Sequence, residues 1–114
     1  MVKRLTQEGI TRQLDQIRER IAAVDHICSG TLLRRTKVCG KPGCGCARDP
    51  GARHGPYYEW GRLERGRLVH TQLTTQEGAR FAEAIRHYRL LRRLLARWIR
   101  ESVRAILAES YAEP

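Results

Sequence analysis

Residues 39–60 read C-G-K-P-G-C-G-C-A-R-D-P-G-A-R-H-G-P-Y-Y-E-W. Cys39, Cys44, Cys46 and His54 stand in this run with the spacing C-x4-C-x-C-x7-H. Three thiols and an imidazole are the donor set of a closed structural zinc site. Glycine and proline around them let the backbone wrap tightly round an ion. The alternative for any one cysteine is a small buried hydrophobe. Three of them in a polar, glycine-rich loop do not fit that description. The fourth ligand has three candidates. His54 comes next along the chain and is preferred. Cys28 would complete a four-thiolate site, and His70 could arrive from a neighbouring strand. With four protein ligands zinc has no open position, so the expected role is to staple a small fold.

The segments on either side of the loop read as strands. Thr31–Val38 (T-L-L-R-R-T-K-V) is rich in β-branched and aliphatic residues. Tyr57–Arg62 and Arg67–Leu73 give two more strands, with the glycine of L-E-R-G marking a hairpin turn between them. Alternation places Tyr58 and Trp60 on one face, the expected core side of a small sheet. Further out, Ile10, Leu14, Ile17, Ile21 and Val24 recur at steps of 4, 3, 4 and 3. That spacing predicts a helix with a coiled-coil seam, closed by Ser29-Gly30.

Downstream, Thr74-x-x-Glu77 is a capping box that starts a second helix. No proline interrupts it before Pro114, and Phe81, Ile85, Tyr88, Leu91, Leu95, Trp98, Ile99, Val103 and Ile106 supply its apolar positions. Some 35 residues of helix would extend about 50 Å, more than one small domain covers. Pairing with the first helix or with another subunit is therefore expected. Leu90-Leu91-Arg92-Arg93-Leu94-Leu95 puts leucine on more than one face, so contacts on two sides are plausible.

The expected fold class is α+β: an N-terminal helix, a three-stranded antiparallel sheet with a zinc-binding loop, and a long C-terminal helix in a coiled coil or bundle. The segments are 1–30, 31–74 and 75–114, within one domain overall. Ile10, Leu14, Ile17, Ile21, Leu91, Leu95, Trp98 and Ile99 are the expected oligomerisation positions.

The chain has 114 residues, with 22 basic and 12 acidic side chains, for a net charge of +10. So large an excess bears on partners and solubility rather than on fold. Residues 31–75 carry nine basic and three acidic side chains, the most basic third of the sequence. No apolar run approaches the roughly 20 residues of a membrane span. The start, M-V-K-R-L-T-Q-E-G, lacks the apolar core of a secretory signal. A cytoplasmic, nucleoid-associated bacterial protein is expected. Thiols stay reduced in the cytosol and serve as metal ligands rather than disulfides.

Arg34, Arg35, Lys37 and Lys41 flank the first cysteine of the loop, and Arg62, Arg65 and Arg67 flank the hairpin turn. If strand and hairpin share a sheet, these seven form a patch that neutralises phosphates. Arginines at a hairpin tip also suit a narrow minor groove. The alternative is a solvated basic face. The second helix carries Arg80, Arg86, Arg89, Arg92, Arg93, Arg97, Arg100 and Arg104. They either track a phosphate backbone or decorate a coiled-coil exterior.

Catalysis is not expected. There is no glycine-rich phosphate loop, no paired-histidine motif and no serine nucleophile context. Asp15, Asp25 and Asp49 have no spacing that suggests a two-metal centre. A thiol nucleophile beside His54 would use residues that the metal reading uses better.

The run C-G-K-P-G-C-G-C-A, with H-G-P-Y-Y-E-W, a basic hairpin and a long Arg/Leu helix after it, resembles a family of small uncharacterised bacterial proteins. Their signature is Cys-Gly-Lys-x-x-Cys-x-Cys with His-Gly-Pro-Tyr-Tyr, and they frequently accompany transposases and other mobile elements. The resemblance covers roughly residues 24–105. It implies Cys39, Cys44, Cys46 and His54 as metal ligands. Gly40, Lys41, Gly55, Pro56, Tyr57 and Tyr58 match as motif residues without an assigned role. His26-Ile27-Cys28-Ser29-Gly30 departs from the family's usual Leu-Pro before Ser-Gly, which leaves Cys28 without family support.

These observations converge on a zinc-stabilised, dimeric DNA-binding accessory or regulatory protein of a mobile element. The competing expectation is an adaptor whose long helix docks on a recombinase, transposase or other large partner. A homo-oligomer is expected in either case, and membrane association in neither.

Overall fold

The structure, a computed structural model, describes residues 7–112. Helix α1 spans Gln7–Ala22, strand β1 Thr31–Lys37, strand β2 His54–Glu64, strand β3 Arg67–Leu73 and helix α2 Thr75–Ala112. Two short 3-10 turns, Gly45–Ala47 and Pro50–Ala52, shape the loop between β1 and β2. The architecture is the expected α+β arrangement.

The chain divides into two compact units. One holds α1 and the part of α2 from Arg86 onward, and the other runs from Cys28 to Ile85. In the first unit, Ile10, Ile17 and Leu94 are buried. The guanidinium of Arg18 lies 5.6 Å from the centre of the Trp98 ring. With its amide turned to donate, Gln13 reaches Glu101 Oε2 at 3.1 Å. The apolar seam of α1 therefore finds partners within its own chain at Ile10 and Ile17. Leu14, Ile21, Leu91 and Trp98 are half-buried, whereas Leu95 and Ile99 are exposed.

The second unit is built on an antiparallel sheet of order β1-β2-β3. Residues paired across strands share a face, and alternate residues take opposite faces. Tyr58, Trp60 and Leu73 fall on the face covered by the first turns of α2. The Trp60 and Phe81 rings pack in a tilted arrangement with their centres 5.0 Å apart, and Leu73, Ala84 and Ile85 are buried. Trp60 Nε1 donates to the Ser29 carbonyl at 2.8 Å, and the Cys28 amide donates to the Ala84 carbonyl at 3.1 Å. Gly30 makes the tight approach beneath Trp60. Its φ is 106°, and a β-carbon there would fall 2.6 Å from both Gly61 O and Trp60 Nε1. Tyr57, Glu59, Leu33, Arg35, His70 and Gln72 occupy the opposite face by register.

Strand β2 is longer than its sequence suggested. It begins at His54, and Gly55-Pro56 lies inside it. A central strand normally excludes proline because the ring removes a ladder donor. Here the register shifts between Arg35 and Lys37, so that Gly55 and Pro56 sit in a bulge. The pairing with β3 starts only at Tyr58–Leu73, so the missing N–H is not required on that side either.

The capping box closes as expected. The Glu77 amide donates to Thr74 Oγ1 at 3.1 Å, and the Thr74 amide donates to Glu77 Oε1 at 3.0 Å. Hydrogen bonding from Thr74 to the Glu77 carboxylate, first from its backbone amide and then from its side chain, holds the Glu77 carboxyl below its ordinary value. No helix among the described residues is long and apolar enough to cross a membrane.

Candidate metal centre

The loop between β1 and β2 brings Cys39, Cys44, Cys46 and His54 together. One donor atom from each lies within 4.8 Å of all the others. Cys39 follows the end of β1, His54 opens β2, and the 3-10 turn Gly45–Ala47 carries Cys46. A reversal after Cys44 turns Cys46 back toward Cys39. Asp49 shapes the second turn by accepting a 2.9 Å hydrogen bond from the Gly51 amide. The bulge at Gly55-Pro56 lets His54 pair with Lys37, beside the cysteines, rather than continue the sheet register.

The donor spacing is close to that around a tetrahedral ion, with the Cys44–His54 pair nearer than ideal and the widest pair up to 4.8 Å apart. Zinc–sulfur bonds of about 2.3 Å and zinc–nitrogen bonds of about 2.0 Å imply ligand–ligand edges of about 3.5–3.8 Å. Cys39 Sγ lies 3.6 Å from Cys46 Sγ, and Cys44 Sγ lies 3.2 Å from His54 Nε2. The Cys39 amide donates to Cys46 Sγ at 3.3 Å. Cys46 is buried, Cys44 half-buried and Cys39 exposed. Four Cys/His donors thus form a cluster that can hold one metal ion.

The other two candidates for the fourth ligand lie elsewhere. Cys28 Sγ donates to the Ser29 carbonyl at 3.2 Å, and burial raises its thiol pKa. His70 Nδ1 stands 4.0 Å from a Glu59 oxygen.

The basic residues singled out in the sequence take different positions. Lys37 and Arg35 converge on Glu59, at 3.1 and 3.8 Å. The Lys37 hydrogen bond is the main reason that the Glu59 carboxyl stays below its ordinary value, and the charges of Lys37, Arg35 and His70 add to it. Arg62 lies over the Trp60 ring at 4.1 Å and bonds to Glu64 at 3.0 Å and to Thr71 Oγ1. It is a packing residue of the helix-covered face. Arg34, Lys41, Arg65 and Arg67 are exposed, and among the described residues none has a carboxylate within ion-pair distance. Arg48 and Arg53, in the metal loop, share that state. The sequence reading passed over these two. Their place between Cys46 and His54 was the signal. Glu59 was also passed over, although it shares the strand phase of Arg35 and Lys37.

At the hairpin tip, Glu64 pairs with Arg67, leaving the two-residue loop Arg65-Gly66. Both residues have positive φ, 50° and 78°. This is the geometry of a type I′ turn, whose twist matches that of the flanking strands.

No curated protein and no solved structure shows significant similarity to the chain. A family profile described as Domain of unknown function (DUF6788) matches residues 7–80, more than half of the sequence. The chain belongs to this family.

Proposed function

We propose that the chain is a zinc-stapled nucleic-acid-binding protein, acting on DNA as an accessory or regulatory factor, in keeping with the mobile-element setting that its sequence resemblance implies. The observation that carries this reading is the set of exposed cations around the metal loop and hairpin. Arg34, Lys41, Arg48, Arg53, Arg65 and Arg67 all lie within the unit Cys28–Ile85 and have no acidic partner among its described residues. Unpaired cations gathered on a small stapled unit suit a phosphate backbone, whose counterions they displace. Zinc fits the donor set best, since soft thiolates with one imidazole in a tetrahedral array are its usual ligands. With all four positions taken by protein, the ion has no site for substrate. It acts by fixing the loop that carries Lys41, Arg48 and Arg53, and the protein works by binding rather than by catalysis.

Fluorescence anisotropy of zinc-loaded protein with duplex and single-stranded DNA across a salt series tests the reading. The expected result is binding whose log affinity falls linearly with log salt and persists near physiological salt. Absence of binding at low salt overturns it. Tighter binding to single strands would shift the target class without removing the site.

A further inference from the structure

α2 carries two surface features along the same stretch. Leu95, Ile99, Val103 and Ile106, with Leu107 beside them, are 43–65% exposed and recur at steps of 4, 4 and 3. That spacing keeps them on one side of a helix. Arg86, Arg89, Arg93, Arg97, Arg100 and Arg104 recur at steps of 3, 4, 4, 3 and 4, a row immediately beside the apolar stripe at about 100° per residue. Arg104 pairs with Glu101 at 3.3 Å. The other five have no carboxylate within ion-pair distance among the described residues. Leu94, by contrast, is buried, so the stripe is a second apolar face and not the one already used within the unit.

We propose that this face of α2 is a docking site for an acidic amphipathic helix of another protein, with apolar residues against Leu95–Leu107 and carboxylates against the arginine row. Charge complementarity selects that occupant. Nucleic acid would pair with the arginines but leave the adjoining stripe in water. A second copy of this chain meets an electrostatic obstacle. Docked antiparallel, stripe to stripe, it would set one arginine row against the other. Docked parallel, the row would face the opposite flank of the stripe, where Leu91, Ser102 and Glu109 lie and offer a single carboxylate. An acidic helix satisfies both features at once, in the manner of helix-in-groove recognition. This inference develops the adaptor expectation and stands apart from the nucleic-acid reading, because it uses a different unit of the chain.

The test uses the full zinc-loaded chain and two fluorescent synthetic helices. Both carry leucine heptads; one has glutamate at its flanking positions and the other lysine. The glutamate peptide is expected to bind, and the lysine peptide at least about tenfold more weakly, the effect of reversing several exposed ion pairs. Ile99→Asp with Ile106→Asp is expected to abolish binding, with unchanged far-ultraviolet circular dichroism because both side chains are exposed. Arg93→Glu with Arg100→Glu is expected to transfer the preference to the lysine peptide, which a merely unfolded variant cannot do. Equal binding of both peptides, or of neither, overturns the proposal. So does peptide-free self-association that Ile99→Asp disperses, or binding to phosphatidylserine vesicles in place of the glutamate peptide. DNA binding that survives all four substitutions separates this outcome from the fate of the nucleic-acid reading.

Discussion

The ring of Tyr58 lies against the backbone of Gly78, so close that a β-carbon on Gly78 would fall 2.6 Å from Tyr58 Cγ. Glycine inside a helix ordinarily costs about 1 kcal/mol relative to alanine. Here it lets the first turn of α2 settle onto the sheet. Gly78→Ala is therefore expected to destabilise by about 1–3 kcal/mol, the usual cost of overpacking, rather than to stabilise. Denaturant unfolding measures this directly. A gain in stability would show that the helix and sheet do not approach so closely.

The metal centre predicts an asymmetry among the four cysteines. Cys44→Ser and His54→Ala each remove a donor whose partner lies 3.2 Å away. Each is expected to weaken zinc binding by more than the roughly 10–100-fold that changes behind the ligands cause. Cys28→Ser, remote from the cluster, is expected to leave one zinc per chain. Chelation is expected to lower the melting temperature of the wild type, since metal binding and folding of the loop are coupled. Elemental analysis of purified variants, with thermal melts before and after chelator, checks both points. Full zinc occupancy in His54→Ala would return Cys28 or His70 to consideration.

Much of this architecture was legible because local and long-range signals agreed. Thr74 and Glu77 announced the start of α2, and Ile10 and Ile17 announced the buried side of α1. The cysteine spacing announced the cluster. What was hidden depended on register. Gly55-Pro56 reads as a strand breaker, and only the bulge opposite Arg35–Lys37 makes room for it inside β2. Leu94 and Leu95 are adjacent and chemically identical, yet Leu94 is buried and Leu95 exposed. A sequence that places leucine on several faces cannot say which one α1 covers. Likewise, Arg62 and Arg65 look equivalent in a basic hairpin. One lies two positions from Trp60 on the same strand face and stacks on it, while the other sits at the turn.

Glu59 gives the sheet a pH dependence of known sign. Its carboxyl lies below the ordinary value of 4.5, chiefly because of the Lys37 hydrogen bond, so the folded state releases this proton more readily than the unfolded chain. The resulting stability is fully present above about pH 4.5 and is lost as pH falls through the lowered value. Glu59→Gln is expected to be less stable than wild type at neutral pH. The difference should shrink below pH 4.5, because protonation then removes the same charge from the wild type. Any metal held by the cysteine cluster would be released from both proteins alike in acid, so the difference between their unfolding curves isolates the carboxylate. A gap that does not change between pH 7 and pH 3 would mean that Glu59 acts through packing alone.

The hairpin tip separates fold from function in a single substitution. Arg65 holds φ at 50° and Gly66 at 78°. Asparagine tolerates that region far better than most residues, and Asn-Gly is a preferred type I′ pair. Arg65→Asn should therefore keep or raise the melting temperature while removing one unpaired cation. Arg65→Val removes the same charge but is expected to cost about 1–2 kcal/mol of stability, because a β-carbon branch crowds the following carbonyl at positive φ. If the tip contacts phosphate, both variants lose DNA affinity evenly across sequences, and the slope of log affinity against log salt falls by about 0.9. The asparagine variant is the decisive one, since its turn is intact. An unchanged affinity and slope in Arg65→Asn would remove the hairpin from the interface and confine the phosphate contacts to the metal loop and β1, at Arg34, Lys41, Arg48 and Arg53.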